Sequence, residues 1–336
     1  KIDVNGNLSK INFTSYYISN ASSMEFNGFG WAWGGSWDSS GQSTRCLKLN
    51  SSGEVTFTSL FTAVSEPTTA SISTYGYVAG GTTSGGTSGS MTADVCKFDI
   101  SGNASSATAL SQARRYMTGF ALGDKAYFVG GYYNLKAYVN CDVYDSSGVK
   151  TTGTSLSYKR YLLNSYTNGN YAYVGGGRTS NTLSSSSDYS NNVERYNVSG
   201  LRTTMSALTN RVYSPCAFSF NGNGYFTGGA AYSGGAYQLD RYDASGVKSQ
   251  DNQIVYLSAG NVDVVFEGKK AFLLQASLDS YNYNEIYDSV STKIPITAGS
   301  VFNLTYTSGT AETSQILSFD KKVSGTIEYM KGTIPT

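Results

Sequence analysis

Apolar and polar residues alternate along this chain in short runs, and run after run stops at a pair of glycines. Lys125-Ala126-Tyr127-Phe128-Val129, for example, ends at Gly130-Gly131. Alternation of period two predicts a strand, and glycine supplies the positive φ that a tight exit from it needs. Such pairs stand at Gly34-Gly35, Gly80-Gly81, Gly130-Gly131, Gly175-Gly176 and Gly228-Gly229, so that successive pairs are 46, 50, 45 and 53 residues apart. That is the period of a propeller blade. A sixth copy, Ala271-Phe272-Leu273-Leu274-Gln275, has lost its glycines.

Each pair is followed by a variable loop and a third strand with an aromatic or acidic end: Val95 to Asp99, Cys141 to Asp145, Val193 to Asn197 and Leu239 to Asp243. A Ser-Gly turn comes next, at Ser147-Gly148, Ser199-Gly200 and Ser245-Gly246, then a strand closing on Leu110, Leu156 or Leu208. The unit is four strands. Residues 1–14 match the end of a blade, with Leu8 to Thr14 as a fourth strand lacking a blade of its own. Glu285 to Ile296 completes the sixth copy. Val301 to Tyr306, Gln315 to Phe319 and Thr326 to Met330 then offer three more strands. The expected organisation is a run of blades over 1–298, with 299–336 forming a seventh blade that residues 1–14 complete. Closure of that kind leaves no exposed sheet edge. Six blades with a C-terminal β appendage is the rival.

The glycine pair after the second strand and the Tyr-Asp near the end of the third resemble the kelch family, over about Met24 to Ile294. The resemblance implies an all-β, kelch-type β-propeller. Two features depart from it: the fourth-strand tryptophan usual in kelch blades is missing, and the sixth copy lacks its glycines. The cadence of Tyr-Asp, Ser-Gly and Asn-Gly-Asn also resembles kelch-like repeats of bacterial and prophage surface proteins, which implies an extracellular, cell-surface or virion location.

Composition agrees with many short strands and tight turns: 38 Gly, 28 Tyr and 15 Phe against 4 Pro. The 24 basic and 23 acidic residues nearly cancel, and no window clusters Lys and Arg as phosphate neutralisation requires, so nucleic acid is not an expected partner. No apolar run is long enough for a membrane-spanning helix. Oligomeric state is left open.

Antiparallel strands put the loops between second and third strands, and the blade-to-blade connections, on one face of the disc. Tight turns occupy the other. The long-loop face is the expected binding face, because its loops carry Trp37, Tyr132, Tyr133, Tyr138, Tyr189, Tyr232 and Tyr237 among Ser, Gly and Asn, a mixture that suits recognition surfaces. Arginine recurs at the connections in Arg114-Arg115-Tyr116, Lys159-Arg160-Tyr161 and Arg211-Val212-Tyr213. Arg115, Arg160 and Arg211, with Tyr116, Tyr161 and Tyr213, are therefore the expected ligand contacts, because a guanidinium presents five donors to a carboxylate or polar sugar. The kelch resemblance points the same way. The alternative is that the arginines bond inter-blade carbonyls.

Histidine is absent, which removes Ser-His-Asp and Cys-His triads and the commonest transition-metal ligand. Glu25, Glu66 and Glu194 read as solvated or turn residues. Cys46 and Cys141 share a repeat position with Val95, Val193 and Leu239, so all four cysteines, Cys96 and Cys216 included, read as thiols outside any disulfide. No cofactor or metal is expected. The expectation is a non-enzymatic recognition propeller binding a glycan or protein. The alternatives are a kelch sugar mutarotase, epimerase or lyase, and a structural virion or surface subunit.

Overall fold

The computed structural model describes residues 18–19, 21–37, 43–50, 55–83, 90–180, 185–220, 222–232, 234–235, 239–251, 262–267, 270–277, 280–287, 293–295, 301–308 and 311–318. Leu8 to Thr14 and Thr326 to Met330 lie outside these residues. Among them are six four-stranded antiparallel sheets, each a meander with its strands paired in chain order.

Blade 1 is Ser22–Phe26, Phe29–Trp33, Ser43–Leu49 and Val55–Val64. Blade 2 is Thr68–Ser71, Tyr75–Ala79, Val95–Asp99 and Ala104–Ala107. Blade 3 is Thr118–Leu122, Lys125–Val129, Cys141–Tyr144 and Lys150–Thr152. Blade 4 is Asn164–Asn168, Tyr171–Gly175, Val193–Asn197 and Arg202–Met205. Blade 5 is Cys216–Phe220, Asn223–Thr227, Leu239–Tyr242 and Lys248–Asp251. Blade 6 is Val262–Glu267, Lys270–Ser277, Ser280–Tyr287 and Lys293–Pro295. A hairpin of Val301–Ser308 with Ala311–Ser318 follows.

The core lies between blades, not within one. Tyr77 and Ala79 of blade 2 pack with Ala126, Phe128 and Tyr144 of blade 3. Tyr127, Val129 and Cys141 of blade 3 pack with Ala172, Val174 and Tyr196 of blade 4. Second strands are thus covered on both faces, which is why Tyr75–Ala79 and Lys125–Val129 are buried at every position after the first. The Tyr of the Tyr-Asp signature is the inter-blade wedge: the Tyr144 and Tyr242 hydroxyls donate to the Thr108 and Ser206 carbonyls of the preceding blade, each at 2.6 Å. Its Asp shapes the Ser-Gly turn, as Asp145 Oδ1 accepts the Ser147 and Val149 N–H groups at 2.9 Å. Cys46 and Cys141 are buried, and none of the four cysteines forms a disulfide.

Inner strands of neighbouring blades are laced by hydroxyls. Between blades 1 and 2, Thr69 Oγ1 donates to Ser23 O and Ser71 Oγ to Glu25 O; between blades 3 and 4, Thr167 Oγ1 donates to Ala121 O. Side chains therefore substitute for the backbone ladder that strands of different blades do not share.

A second tie is ionic. Arg160, fully buried, donates through Nη1 to Gly176 O and Asn192 O at 2.8 Å, and through Nη2 to Glu194. Arg114 does the same to Gly130 O, Asn140 O and Asp142. In blade 5 the acid is Asp240, which keeps Thr209 and Lys248 as partners, but Val212 stands where the arginine would. A cavity of about 10 Å³ lies there, lined by Val212, Thr227, Gly228 and Asp240 among others.

Candidate functional site at the channel mouth

The glycine pair positions the site. In blades 2 and 3 the second glycine donates to the outgoing connection, Gly81 N–H to Arg114 O at 2.9 Å and Gly131 N–H to Arg160 O at 2.8 Å. In blade 4 the residues in this role are Gly176-Gly177, with φ of 68° and 101° and Gly177 bonded to Val212 O. The pair read as Gly175-Gly176 is therefore shifted by one, because Gly175 ends the second strand.

The same hydrogen bonds set the register of the connections. Ser65, Arg115, Tyr161 and Tyr213 are equivalent, each bridged to the residue after a glycine pair: Thr82, Tyr132, Arg178 and Ala230. The following residues, Glu66, Tyr116, Leu162 and Ser214, all take left-handed backbone, with φ of 56°, 56°, 53° and 48°. Ser214 N–H donates to Leu162 O at 2.7 Å and Leu162 N–H to Tyr116 O at 3.0 Å, so these residues form an arc. They line the mouth of a cavity of about 780 Å³ whose wall is the inner strands. Left-handed non-glycine residues cost free energy, and they concentrate where geometry serves a site.

Glu66 stands at the first of these four positions and joins the arc through its side chain. Its Oε1 accepts the Tyr116 hydroxyl at 2.7 Å and its Oε2 accepts Arg115 Nη1 at 2.7 Å. Burial, and then the bond to Glu66, push the Tyr116 phenol up to about 12. Tyr116 therefore keeps its proton at neutral pH. The reading of Glu66 as a solvated or turn residue is corrected, since its side chain is only 18% exposed and both oxygens are engaged. Glu194 needs the same correction, being buried between Arg160 and Arg202. Glu25 is exposed and accepts Gly28 N–H in a turn.

The arginines expected as ligand contacts have three different fates. Arg115 is buried behind the mouth, where it holds Glu66, with its guanidinium 4.5 Å from the Tyr116 ring. Arg160 does not: it is the inter-blade clamp described above, with no solvent-facing donor to offer, and is withdrawn as a ligand contact. Arg211 is exposed and donates to Tyr189 O at 3.1 Å. The tyrosines differ as well. Tyr161 is buried between Tyr132 and Tyr116, at ring separations of 4.8 and 6.2 Å. Tyr189, also buried, packs on half-buried Tyr213 and meets exposed Tyr232 edge-on. Tyr133 is half-buried in the hairpin Tyr132–Tyr133 with Lys136–Ala137. Trp37 pairs with Ile18 through its backbone, and its side chain lies outside the described residues. Arg178, which sequence reasoning passed over, sits between the Tyr161 and Tyr213 rings.

No family model and no curated protein matches the chain. A solved structure, that of YjhT, is similar with a TM-score of 0.58 and 14% identity, over 89% of this chain and 97% of that chain. Identity this low carries the fold and nothing finer, so kelch membership stays at the level of resemblance. YjhT is an enzyme, and that corrects the expectation of a non-enzymatic chain: a propeller of this shape is no argument against catalysis. Six four-stranded meanders, a core between them and this likeness identify the chain as an all-β protein of β-propeller fold.

Proposed function

We propose that the chain interconverts ring forms of a sugar by proton transfer at the channel mouth, with Glu66 as base, Tyr116 as acid and Arg115 holding the carboxylate. The observation that carries this is the carboxylate of Glu66 held at 2.7 Å by both a protonated phenol and a guanidinium. A carboxylate and a phenol side by side suit a cyclic hemiacetal. Glu66 takes the anomeric hydroxyl proton while Tyr116 gives its proton to the ring oxygen, and the bond from C1 to the ring oxygen breaks to leave an aldehyde or ketone. Rotation about the bond from the carbonyl carbon to the adjacent chain carbon presents its other face, and the reverse transfers then give the other anomer. Ring closure by those transfers leaves Glu66 ionised and Tyr116 protonated, as they were at the start. The fold likeness to an enzyme, YjhT, supports chemistry over passive recognition, and the Tyr rings around the mouth suit a glycan ligand.

The test is anomer exchange by NMR for D-glucose, D-galactose, N-acetyl-D-glucosamine and D-glucuronate, with wild type and Glu66→Gln compared. Wild type should accelerate exchange of at least one sugar, and Glu66→Gln should lose that acceleration by about 100-fold or more. Equal rates for the two proteins on every sugar would sink the proposal.

A further inference from the structure

Among the described residues Arg178 is 9% exposed, and two of its guanidinium nitrogens, Nε and Nη2, are buried without any hydrogen-bond partner. Arg115 and Arg160 also leave a buried Nε unpaired, so what sets Arg178 apart is Nη2. Arg114, Arg115 and Arg160 each direct an Nη group onto a carboxylate. Arg178 instead has its guanidinium carbon 5.3 Å from the Tyr161 ring and 5.5 Å from the Tyr213 ring. Aromatic contacts use the charge but accept none of its in-plane N–H bonds. Asp188 Oδ2, on the same loop, accepts the Ser185 N–H at 3.1 Å.

A buried cation whose donors lack acceptors is costly, and a native structure keeps one where a partner arrives from outside. Nε and Nη2 form one edge of the guanidinium and lie parallel, which is the fork that takes both oxygens of a carboxylate or phosphoryl group. The position is one repeat beyond the mouth pair: Arg178 is bridged to Tyr161, whose ring faces Tyr116, whose hydroxyl is on Glu66.

We infer that Arg178 is a specificity-determining residue that binds a two-oxygen anionic group on the molecule entering the channel mouth. The identity of that molecule as a sugar rests on the proposed function; the anion site itself does not. Arg178 would hold the charged substituent while the neutral part of the ligand reaches Glu66 and Tyr116. A lysine there would keep the charge and lose the fork.

The experiment reads the arginine Nε–H resonance of Arg178 by ¹⁵N NMR, assigned by its loss in Arg178→Lys, during titration with acetate, inorganic phosphate, D-glucuronate and D-glucose. Acetate and D-glucuronate should shift the signal saturably while D-glucose does not, and D-glucuronate should bind at least tenfold more weakly to Arg178→Lys. A response to phosphate alone would support the site with a free or esterified phosphate as its occupant. No shift with any of the three anions, or the same D-glucuronate affinity in wild type and Arg178→Lys, would overturn it. Glu66→Gln separates the two proposals: it should keep the anion-induced shift even where anomer exchange is lost.

Discussion

Tyr116 donates its hydroxyl proton to Glu66 at 2.7 Å although the two residues are 50 positions apart, because they occupy the same left-handed position in consecutive blade connections. One repeat of sequence is thus folded into one hydrogen bond. The phenol end of that bond is held up at about 12 by burial and by Glu66.

The alkaline limb of activity follows from this. If Tyr116 is the acid, rate should not fall on its account until pH approaches about 12, and the profile should stay flat from neutral pH to about 10. Anomer exchange measured across that range checks it. A drop centred near pH 8 would remove Tyr116 from the role. Tyr116→Phe, which keeps the ring on Arg115 and Tyr161, should lower turnover with little change in melting temperature.

The Arg160 clamp predicts a pH-dependent stability. Burial raises the Glu194 pKa, but Arg160, with Ser157 and Arg202, lowers it by more, so it lies below the ordinary carboxylate range. A depressed carboxylate contributes fully above its unfolded pKa of about 4.3 and loses that contribution as pH falls through the folded value. Glu194→Gln should cost about 3 kcal/mol at pH 7, since it leaves a buried guanidinium short of its charge partner. Chemical denaturation of both proteins should show the gap narrowing below about pH 4. A gap of constant size would mean that the charge of Glu194 is not what the clamp uses.

Gly81 connects backbone geometry to the site. A Cβ there would lie 2.6 Å from Ser65 O and 3.3 Å from the carbonyl carbon of Glu66, at φ +100°. Gly81→Ala should therefore push the segment that carries Glu66 and reduce turnover by about tenfold, along with a stability loss of about 1–3 kcal/mol. Gly123→Ala is the control, because it has a similar left-handed strain at φ +61° but nothing within 4 Å of the added carbon. It should lose stability and keep activity. Equal activity losses in the two would show that Gly81 does not act through Glu66.

Blades were legible because their constraints are local. A strand, a glycine pair and a Ser-Gly turn are read within a few residues; the slip at Gly175 to Gly177 came from three successive glycines of which two adopt the turn, and the fourth strands expected to close on Leu110, Leu156 and Leu208 end earlier, at Ala107, Thr152 and Met205. The site was less legible because its contacts span one period. Glu66 looks solvated beside Ser65 and Pro67; its partners Arg115 and Tyr116 are 49 and 50 residues ahead. The arginines were aligned on a shared Arg and Tyr, whereas backbone hydrogen bonds align Arg115 with Tyr161 and Tyr213, and Arg160 with Arg114. An acidic residue one repeat before an Arg-Tyr pair was the available signal. Arg178 gave none, since it follows the glycines where other blades have Thr82, Tyr132 and Ala230.

Val212, standing where two earlier blades place an arginine, makes the ring unevenly latched. Blades 3 and 4 are each fastened by a guanidinium that spans two carbonyls and a carboxylate, while the entry to blade 5 has an aliphatic side chain beside a void. Local opening of a folded protein starts where the fewest interactions must break together. Val64 holds the equivalent place at the entry to blade 2, but the void lies at the seam between blades 4 and 5, so amide protons of Cys216–Phe220 should exchange with solvent ahead of those in Thr118–Leu122. Tyr213, at the same seam, has its ring 5.5 Å from the Arg178 guanidinium carbon. Breathing of the disc there would give a ligand its way to a buried guanidinium.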